Sequence, residues 1–319
     1  MPAATADPAP RPLGRLLRIV GLLVFGALVA SRLDLGAVRA AWRGLSPVET
    51  AGVALVFLLA MGVRVGKWAW QLRSLGFQFS LVALTRSFIL GVLIGAVTPM
   101  RTGELYRLAG VDFRPADRTR EIALATASLV LEKLYEVLTL VLFVTIGLIQ
   151  PAWPLAALLA GGTLFGAWIA LGGATPPGWM TRLLPARVAA LTLEPMLRAR
   201  EGLGLRGRLG LFGLTALSHA LNLVGALGVY RAFGPMPAFS FFTRMPLVTL
   251  TNVLPISIGG IGVREAAAME IFGSSGFPAS SAAVAASVVF ASANLLPALA
   301  LPLLWLLPSP RGQTGSPEA

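Results

Sequence analysis

The chain has 319 residues, of which 56% are hydrophobic and only 13% are charged, and its mean hydropathy is +0.78. This composition excludes an ordinary soluble domain and predicts an all-α polytopic membrane protein, because a backbone exposed to lipid must satisfy its hydrogen bonds within helices. The net charge of +12 does not indicate nucleic acid, since the arginines are scattered among apolar runs. Anionic lipid at the cytoplasmic surface explains these arginines better. The absence of cysteine excludes thiolate catalysis and cysteine-bound metals.

Several apolar runs reach the roughly 20 residues that cross a hydrocarbon core of about 30 Å. They cover residues 16–33, 51–70, 121–148, 155–173, 209–230 and 281–307. We therefore predict about six full transmembrane helices in a domain of residues 15–307, flanked by disordered termini at 1–14 and 308–319. The one histidine, His219, has no partner ligands near it in sequence and is expected to be a helix-packing residue.

Positive charge in the connections predicts the orientation of the chain. The connection that carries Arg114, Arg118 and Arg120 and a longer arginine-rich loop at 174–208 are assigned to the cytoplasm. The uncharged connections at 149–154 and 273–280 are assigned to the outside. This pattern predicts a multi-pass protein of the plasma (inner) membrane with both termini in the cytoplasm. Cations and indoles at the end of the second run are expected to snorkel and to form an aromatic belt: Arg64, Lys67, Trp68, Trp70 and Arg73.

A first break interrupts the apolar pattern at residues 98–107. Residues 71–80 and 112–120 are both assigned to the cytoplasm, so the segment between them enters the membrane and comes back. Pro99 removes a backbone donor, and Gly103 is expected to let the chain turn, so that a short second arm begins after Gly103. Because this arm is too short to span, we predict a re-entrant pair of half-helices.

A second break lies at residues 253–265, in the stretch NVLPISIGGIGVREAAAMEIF, and contains Pro255, Gly259, Gly260 and Gly262. Its two flanking connections are both assigned to the outside, so a second re-entrant pair enters from the opposite side. Paired Pro/Gly-interrupted segments in corresponding positions of two halves are typical of an inverted-repeat transporter with a binding site near the midplane.

The charged residues at the breaks suit an anionic head group. A half-helix that begins inside the membrane presents free amides and the positive end of its dipole. Arg101, Arg107 and Arg264 are therefore predicted to bind a lipid phosphate, with Glu104 and Glu265 in the first turn after each break. The alternative is that these glutamates and arginines only neutralise each other and cap the half-helices.

A third polar cluster lies in the run 121–148. Glu132 and Glu136 are four residues apart and share one helix face, with Lys133 beside them. They are predicted to face the interior of the bundle. Structural pairing, contact with a cationic head group and a role in proton coupling remain open for them.

At its two breaks the sequence resembles the flippase-like transmembrane family that forms the membrane half of lysylphosphatidylglycerol synthases and also occurs as stand-alone proteins. The first motif is matched by Pro99, Gly103, Glu104 and Arg107, and the more specific second motif by Pro255, Ser257, Gly259, Gly260, Gly262, Arg264 and Glu265. Met100 stands where a small residue is expected, and Glu132-Lys133 replaces a Glu-Arg pair. The resemblance covers about residues 15–307 and implies lipid translocation by a stand-alone member without the aminoacyl-transferase domain.

These features predict a lipid flippase or transporter that moves an anionic or zwitterionic phospholipid, or a polyprenyl-phosphate-linked lipid, between leaflets. The chain contains no P-loop motif, so an ATP-driven pump is not expected, and neither a cofactor nor an enzymatic activity is predicted. The first alternative is a non-transporting membrane protein that binds lipid or assists a glycosyltransferase. The second is an intramembrane lipid-modifying enzyme that uses paired carboxylates such as Glu132 and Glu136. A homo-oligomer and a glycosyltransferase or lipid-synthesis partner both remain open.

Overall fold

The computed structural model describes residues 45–148, 186–251 and 262–307, together with Arg43, Ala160 and Gly260. Every regular element in these ranges is helical, as the composition predicted. The α-helices are α1 (Pro47–Ser74), α2 (Leu81–Val97), α3 (Arg118–Leu148), α4 (Ala186–Phe233), α5 (Ala238–Leu250), α6 (Val263–Gly273), α7 (Ala279–Leu295) and α8 (Leu301–Leu306). Tighter 3₁₀ segments lie at Pro99–Gly110, Pro115–Asp117 and Leu296–Ala300.

Three helical stretches among the described residues are long and apolar enough to cross a membrane: Pro47–Ser74, Leu197–Phe233 and Ala279–Leu306. They correspond to the predicted runs 51–70, 209–230 and 281–307. The run 121–148 lies in α3, a helix of 31 residues that carries several charged side chains. The run 16–33, most of the run 155–173 and both termini lie outside the described residues, so the full set of spans stays a prediction.

Helix α1 begins at a local sequence signal. The Glu49 amide donates a hydrogen bond to Ser46 Oγ at 3.2 Å, and the Ser46 amide donates one to the Glu49 carboxylate at 2.8 Å. Pro47, the first helical residue, has no amide hydrogen to satisfy. Further along, α1 joins two hydrophobic cores, because Phe57 packs among residues of α4 to α7 and Trp68 among residues of α2 and α3.

Helix α2 and the Pro99–Gly110 segment form a first hairpin. The two arms lie so close that a Cβ added at Gly103 would be 2.5 Å from the carbonyl carbon of Ile94. The chain also returns to its starting point, since the Asp112 amide donates a hydrogen bond to the Gln78 carbonyl at 3.0 Å. The two ends of this hairpin therefore lie side by side.

Helices α5 and α6 flank the second break and form a second hairpin. Phe241, near the start of α5, stacks on Phe272, near the end of α6, with ring centroids 5.8 Å apart. Two further rings complete the aromatic cluster. The ring centroid of Tyr230 lies 5.1 Å from that of Phe241, and the ring centroid of Phe277 lies 6.5 Å from that of Phe272. These buried ring contacts hold the start of α5 beside the end of α6.

Helix α4 is 48 residues long and is kinked at Gly204, where φ is +58°. The structure describes residues 186–208 of the arginine-rich connection as helical, and Pro195, which the sequence suggested as an interruption, lies inside the helix without ending it. A proline removes one helical hydrogen bond and can kink the helix at that point. The hydrogen bonds of the neighbouring turns can nevertheless carry the helix past it. Residues 174–185 of that predicted loop lie outside the described ranges.

Candidate functional site

The turn of the first hairpin lies at Thr98 and Arg101, and not at Gly103. Thr98 is extended (φ −101°, ψ 144°), and Arg101 adopts a φ of +57°, which is uncommon for a side chain of this size. The return arm begins at Pro99, so the predicted start after Gly103 is wrong, and Glu104 lies beyond the first turn of this arm. Gly103 has a different role, because the absence of a side chain allows the arm to touch α2.

Three side-chain contacts hold this turn in place. Thr98 Oγ1 accepts a hydrogen bond from the Gly103 amide at 2.8 Å. Arg101 Nε lies 3.0 Å from Glu104 Oε1, and its terminal nitrogen donates to Asn294 Oδ1 of α7 at 3.3 Å. Arg101 therefore links the first hairpin to the last part of the described chain.

Glu104 is the centre of a network of ion pairs between the first hairpin and α3. Its Oε2 atom lies 2.8 Å from Arg107 and 2.7 Å from Lys133, in addition to the contact with Arg101. Arg107 is fully buried and also contacts Glu132 at 3.1 Å. Because two carboxylates surround it, the charge of Arg107 is already compensated inside the protein.

Lys67 extends this network to α1. Its Nζ atom lies 2.9 Å from Glu132 and 3.7 Å from Glu136, and it donates a hydrogen bond to Thr215 of α4 at 3.3 Å. Lys67 is fully buried, so its interpretation as a snorkelling cation is wrong: the carboxylates of α3 balance its charge inside the bundle. The prediction that Glu132 and Glu136 face the interior is confirmed, and Lys133 adds a contact to Glu136 at 2.9 Å.

The second break has its own charge pair. Gly262 adopts a φ of +87°, and α6 begins at the next residue. The Gly262 amide donates a hydrogen bond to Glu265 at 2.7 Å, so Glu265 closes the first turn of the helix, as predicted. Glu265 pairs with Arg264 and accepts a hydrogen bond from Ser287 of α7 at 2.7 Å. The Arg264 guanidinium carbon lies 4.1 Å from the ring centroid of Phe290.

The second motif is described only in part. Pro255, Ser257 and Gly259 lie outside the described residues, so their roles stay predictions. Gly260 adopts a φ of +76°, a left-handed conformation that favours glycine and agrees with a chain that turns at this point.

Residues from both breaks line one cavity of about 140 Å³. It is lined by Arg101 from the first hairpin, Arg264 from the second, Arg64 from α1 and Glu136 from α3. The wall also contains apolar side chains of α3, α4, α5 and α7 and uncharged polar ones of α4, α5 and α7, the latter being Ser218, His219, Asn222, Thr249 and Asn294. Arg107, which the sequence grouped with Arg101 and Arg264, is not among the lining residues and lies in the ion network. Pockets for drug-sized ligands measure about 300–1,000 Å³, so this cavity suits a compact polar group.

Arg64 is the cation that the sequence reasoning missed. It was interpreted as a snorkelling residue, but it is half-buried and lines the cavity. Its guanidinium carbon lies 5.6 Å from the ring centroid of Phe88, and no carboxylate of the described residues forms an ion pair with it. The spacing held a signal, because Ala60, Arg64 and Lys67 share the helix face that buries the apolar side chains of α1.

Comparison with curated proteins and with solved structures finds no match to the chain. The family model described as the lysylphosphatidylglycerol synthase TM region matches residues 15–301. The match spans both hairpins, the ion network and every residue that lines the cavity. The chain therefore belongs to the lysylphosphatidylglycerol synthase TM region family and is a membrane protein whose described regular elements are all helical.

Proposed function

We propose that the protein moves a lipid with a phosphate head group between the leaflets of the plasma membrane and leaves it chemically unchanged. One observation carries this proposal: Arg64, Arg101 and Arg264 line a single cavity. A cation at membrane depth is costly unless it is paired, and Arg64 forms no ion pair within 4 Å among the described residues, while Glu136, the carboxylate of the cavity, is itself paired with Lys133 and Lys67. Guanidinium groups bind phosphate oxygens through two parallel hydrogen bonds, so an anionic head group would compensate this charge.

The charge balance of the surrounding network supports an anionic ligand. Five cations and three carboxylates of α1, the first hairpin and α3 lie together: Arg64, Lys67, Arg101, Arg107, Lys133, Glu104, Glu132 and Glu136. This set has an excess of two positive charges. Desolvated charge of one sign attracts counter-ions strongly in a low-dielectric surrounding. A phosphate diester in the cavity would reduce the excess.

The transport mechanism that we propose treats the two hairpins as re-entrant pairs of an inverted repeat. Each hairpin brings its own ends together, with Gln78 beside Asp112 in the first and Phe241 beside Phe272 in the second. Transporters of this architecture bind substrate near the midplane, between the repeats. The position of both breaks at one cavity supports this arrangement, and the entry of the two hairpins from opposite sides is part of the proposal.

The ion pairs beside the cavity would act as gates. A phosphate that enters the cavity competes with Glu104 for Arg101 and with Glu265 for Arg264. After this exchange Glu104 keeps Arg107 and Lys133, and Glu265 keeps the hydrogen bonds from the Gly262 amide and Ser287, so neither carboxylate is left without a partner. A ligand shifts a conformational equilibrium only when it binds one state better than the other. Exchange of these partners provides that difference, and a gradient or downhill movement provides the direction.

Leaflet transfer in proteoliposomes tests the proposal. Fluorescent phospholipids and an impermeant quencher report transfer for the wild type, for Arg264→Ala and for Glu265→Gln. The matched control is Arg231→Ala, because Arg231 is exposed on α4 and lies outside the cavity. We expect at least a tenfold loss of transfer in Arg264→Ala and in Glu265→Gln, and no loss in the control. Thin-layer chromatography of the recovered lipid checks that it is unchanged.

Three results would contradict the proposal. Transfer that is equal in the wild type and in both variants would place it elsewhere. Binding of lipid without transfer by any folded sample would instead favour the alternative of a lipid-binding or glycosyltransferase-accessory protein. A chemically altered lipid would favour an enzyme.

A further inference from the structure

The carboxylate of the cavity is already engaged. Glu136 is the acidic residue among the described lining residues, opposite three arginines. Its two oxygens lie 2.9 Å from Lys133 and 3.7 Å from Lys67. An ammonium group that entered the cavity would have to compete with two lysines for this carboxylate and would also face the arginines. The cavity is therefore unfavourable for a head group that carries a positive charge.

The aromatic side chain of the cavity is engaged as well. Quaternary ammonium groups are commonly bound by several aromatic faces. Phe290 is the aromatic residue that lines the described cavity, and the Arg264 guanidinium lies 4.1 Å from its ring centroid. No second aromatic ring completes a cage there among the described residues. A choline head group would find neither a free carboxylate nor a free ring.

The wall formed by α4 is neutral and can form further hydrogen bonds. Ser218, His219 and Asn222 lie on this wall, one helical turn from first to last. His219 Nε2 is buried and has no hydrogen-bond partner within the described ranges. The Asn222 side-chain nitrogen donates to the Ser218 carbonyl at 2.8 Å, so its side-chain oxygen is the acceptor that this cavity-lining residue can offer to a ligand. A neutral imidazole and an amide oxygen bond well to hydroxyl groups.

We propose that the ligand of this cavity is a polyol or sugar phosphate head group without an ammonium group. The three arginines hold the phosphate, while His219 and Asn222 bind hydroxyls and thereby determine specificity. This inference rests on the proposed function for the movement of the lipid, but it makes a separate claim about head-group chemistry. A site built to bind hydroxyls discriminates against an analogue without them, because its buried polar groups are then left unpaired.

Three lipids with the same fluorescent acyl chain test separately whether the cavity disfavours an ammonium group and whether it favours hydroxyl groups. Phosphatidic acid presents phosphate alone, phosphatidylethanolamine adds an ammonium group, and phosphatidylglycerol adds hydroxyls. In the proteoliposome assay we expect phosphatidylglycerol to move at least tenfold faster than phosphatidylethanolamine. We also expect it to move several-fold faster than phosphatidic acid. Equal rates for all three lipids would overturn the head-group assignment and leave lipid movement intact.

Variants of the α4 wall test the two specificity residues. Asn222→Leu keeps the number and branching of the side-chain heavy atoms and removes their polarity, and His219→Ala removes the imidazole. Both are expected to slow phosphatidylglycerol several-fold, towards the rate of phosphatidic acid, while the rate for phosphatidic acid stays within twofold, a difference that loss of folding cannot produce. His219→Gln restores a hydrogen-bonding group and is expected to recover most of the selectivity. Thr145→Val serves as a control, since Thr145 is buried on α3 outside the cavity.

A binding measurement keeps the inference testable when no lipid moves. Short-chain forms of the three lipids are added to the purified protein in detergent, and the thermal unfolding midpoint is followed. We expect phosphatidylglycerol to raise the midpoint more than phosphatidylethanolamine in the wild type, and this difference to disappear in Asn222→Leu. Equal stabilisation by all three lipids, or an unchanged difference in the variant, would refute the role of the α4 wall. Selective binding without any transfer would reject the proposed lipid movement but leave the head-group assignment intact.

Discussion

Replacement of Lys67 by methionine tests whether the buried network carries a large share of the stability of the fold. Lys67 contacts Glu132 at 2.9 Å and Glu136 at 3.7 Å, and both the lysine and Glu132 are fully buried. Removal of one partner from a buried ion pair costs about 3–5 kcal/mol, because the other charge is left uncompensated. Glu132 retains Arg107 at 3.1 Å in the variant. We therefore expect the lower end of that range, about 3 kcal/mol in the free energy of unfolding.

A double-mutant cycle separates lost pairing from lost packing. Glu132→Gln alone removes the carboxylate and leaves Lys67 beside a neutral amide. The combination Lys67→Met with Glu132→Gln leaves neither charge of this pair in the interior. We expect the double variant to be about 1–3 kcal/mol more stable than the sum of the two single changes would give.

Equilibrium unfolding in detergent, driven by denaturing surfactant and followed by circular dichroism, measures these free energies. Arg73→Met is the matched control, because Arg73 lies on the same helix but is exposed, over the ring of Phe79 at 5.1 Å. We expect less than about 1 kcal/mol for this change. Two outcomes would refute the reasoning: a Lys67 variant as stable as the Arg73 variant, or a double variant whose loss equals the sum of the single losses.

Two further predictions concern packing and the last helix. Gly103→Ala is expected to cost about 1–3 kcal/mol in the same assay, because the added Cβ would lie 2.5 Å from the backbone of Ile94. Gly66→Ala, where nothing lies within 4 Å, is expected to gain up to about 1 kcal/mol from helix propensity. Arg86→Ala removes hydrogen bonds of 2.9 Å to the Leu304 carbonyl and 2.6 Å to the Leu307 carbonyl, so amide hydrogen exchange in α8 is expected to accelerate about tenfold or more.

Specific results would contradict the predictions for Gly103 and Arg86. A stable Gly103→Ala protein would show that the return arm of the first hairpin does not lie against α2. Unchanged exchange in α8 would show that Arg86 does not hold the last described helix.

The sequence predicted some of the site from local patterns alone. The four-residue spacing of Glu132 and Glu136 placed both on an inward face, and the position of Glu265 after the glycines predicted a helix cap. The sequence was wrong about Gly103, because a glycine in a break suggests a turn. A glycine is required at this position by the close contact with α2. The sequence was also wrong about Lys67, since a lysine followed by two tryptophans near the end of an apolar run resembles an interfacial residue in sequence.

What the sequence determined by itself is the class of the protein and the location of its irregular points. Helices, membrane residence and the two breaks follow from hydropathy, periodicity and Pro/Gly positions, which act over a few neighbouring residues. Only the tertiary structure decided which charges meet: Lys67 with Glu132 across 65 positions, Arg101 with Asn294 across 193, and Arg64 at a cavity shared by both hairpins. A buried ion pair depends on how the helices pack and on the exclusion of water. The residues adjacent to the charge in the sequence determine neither of these.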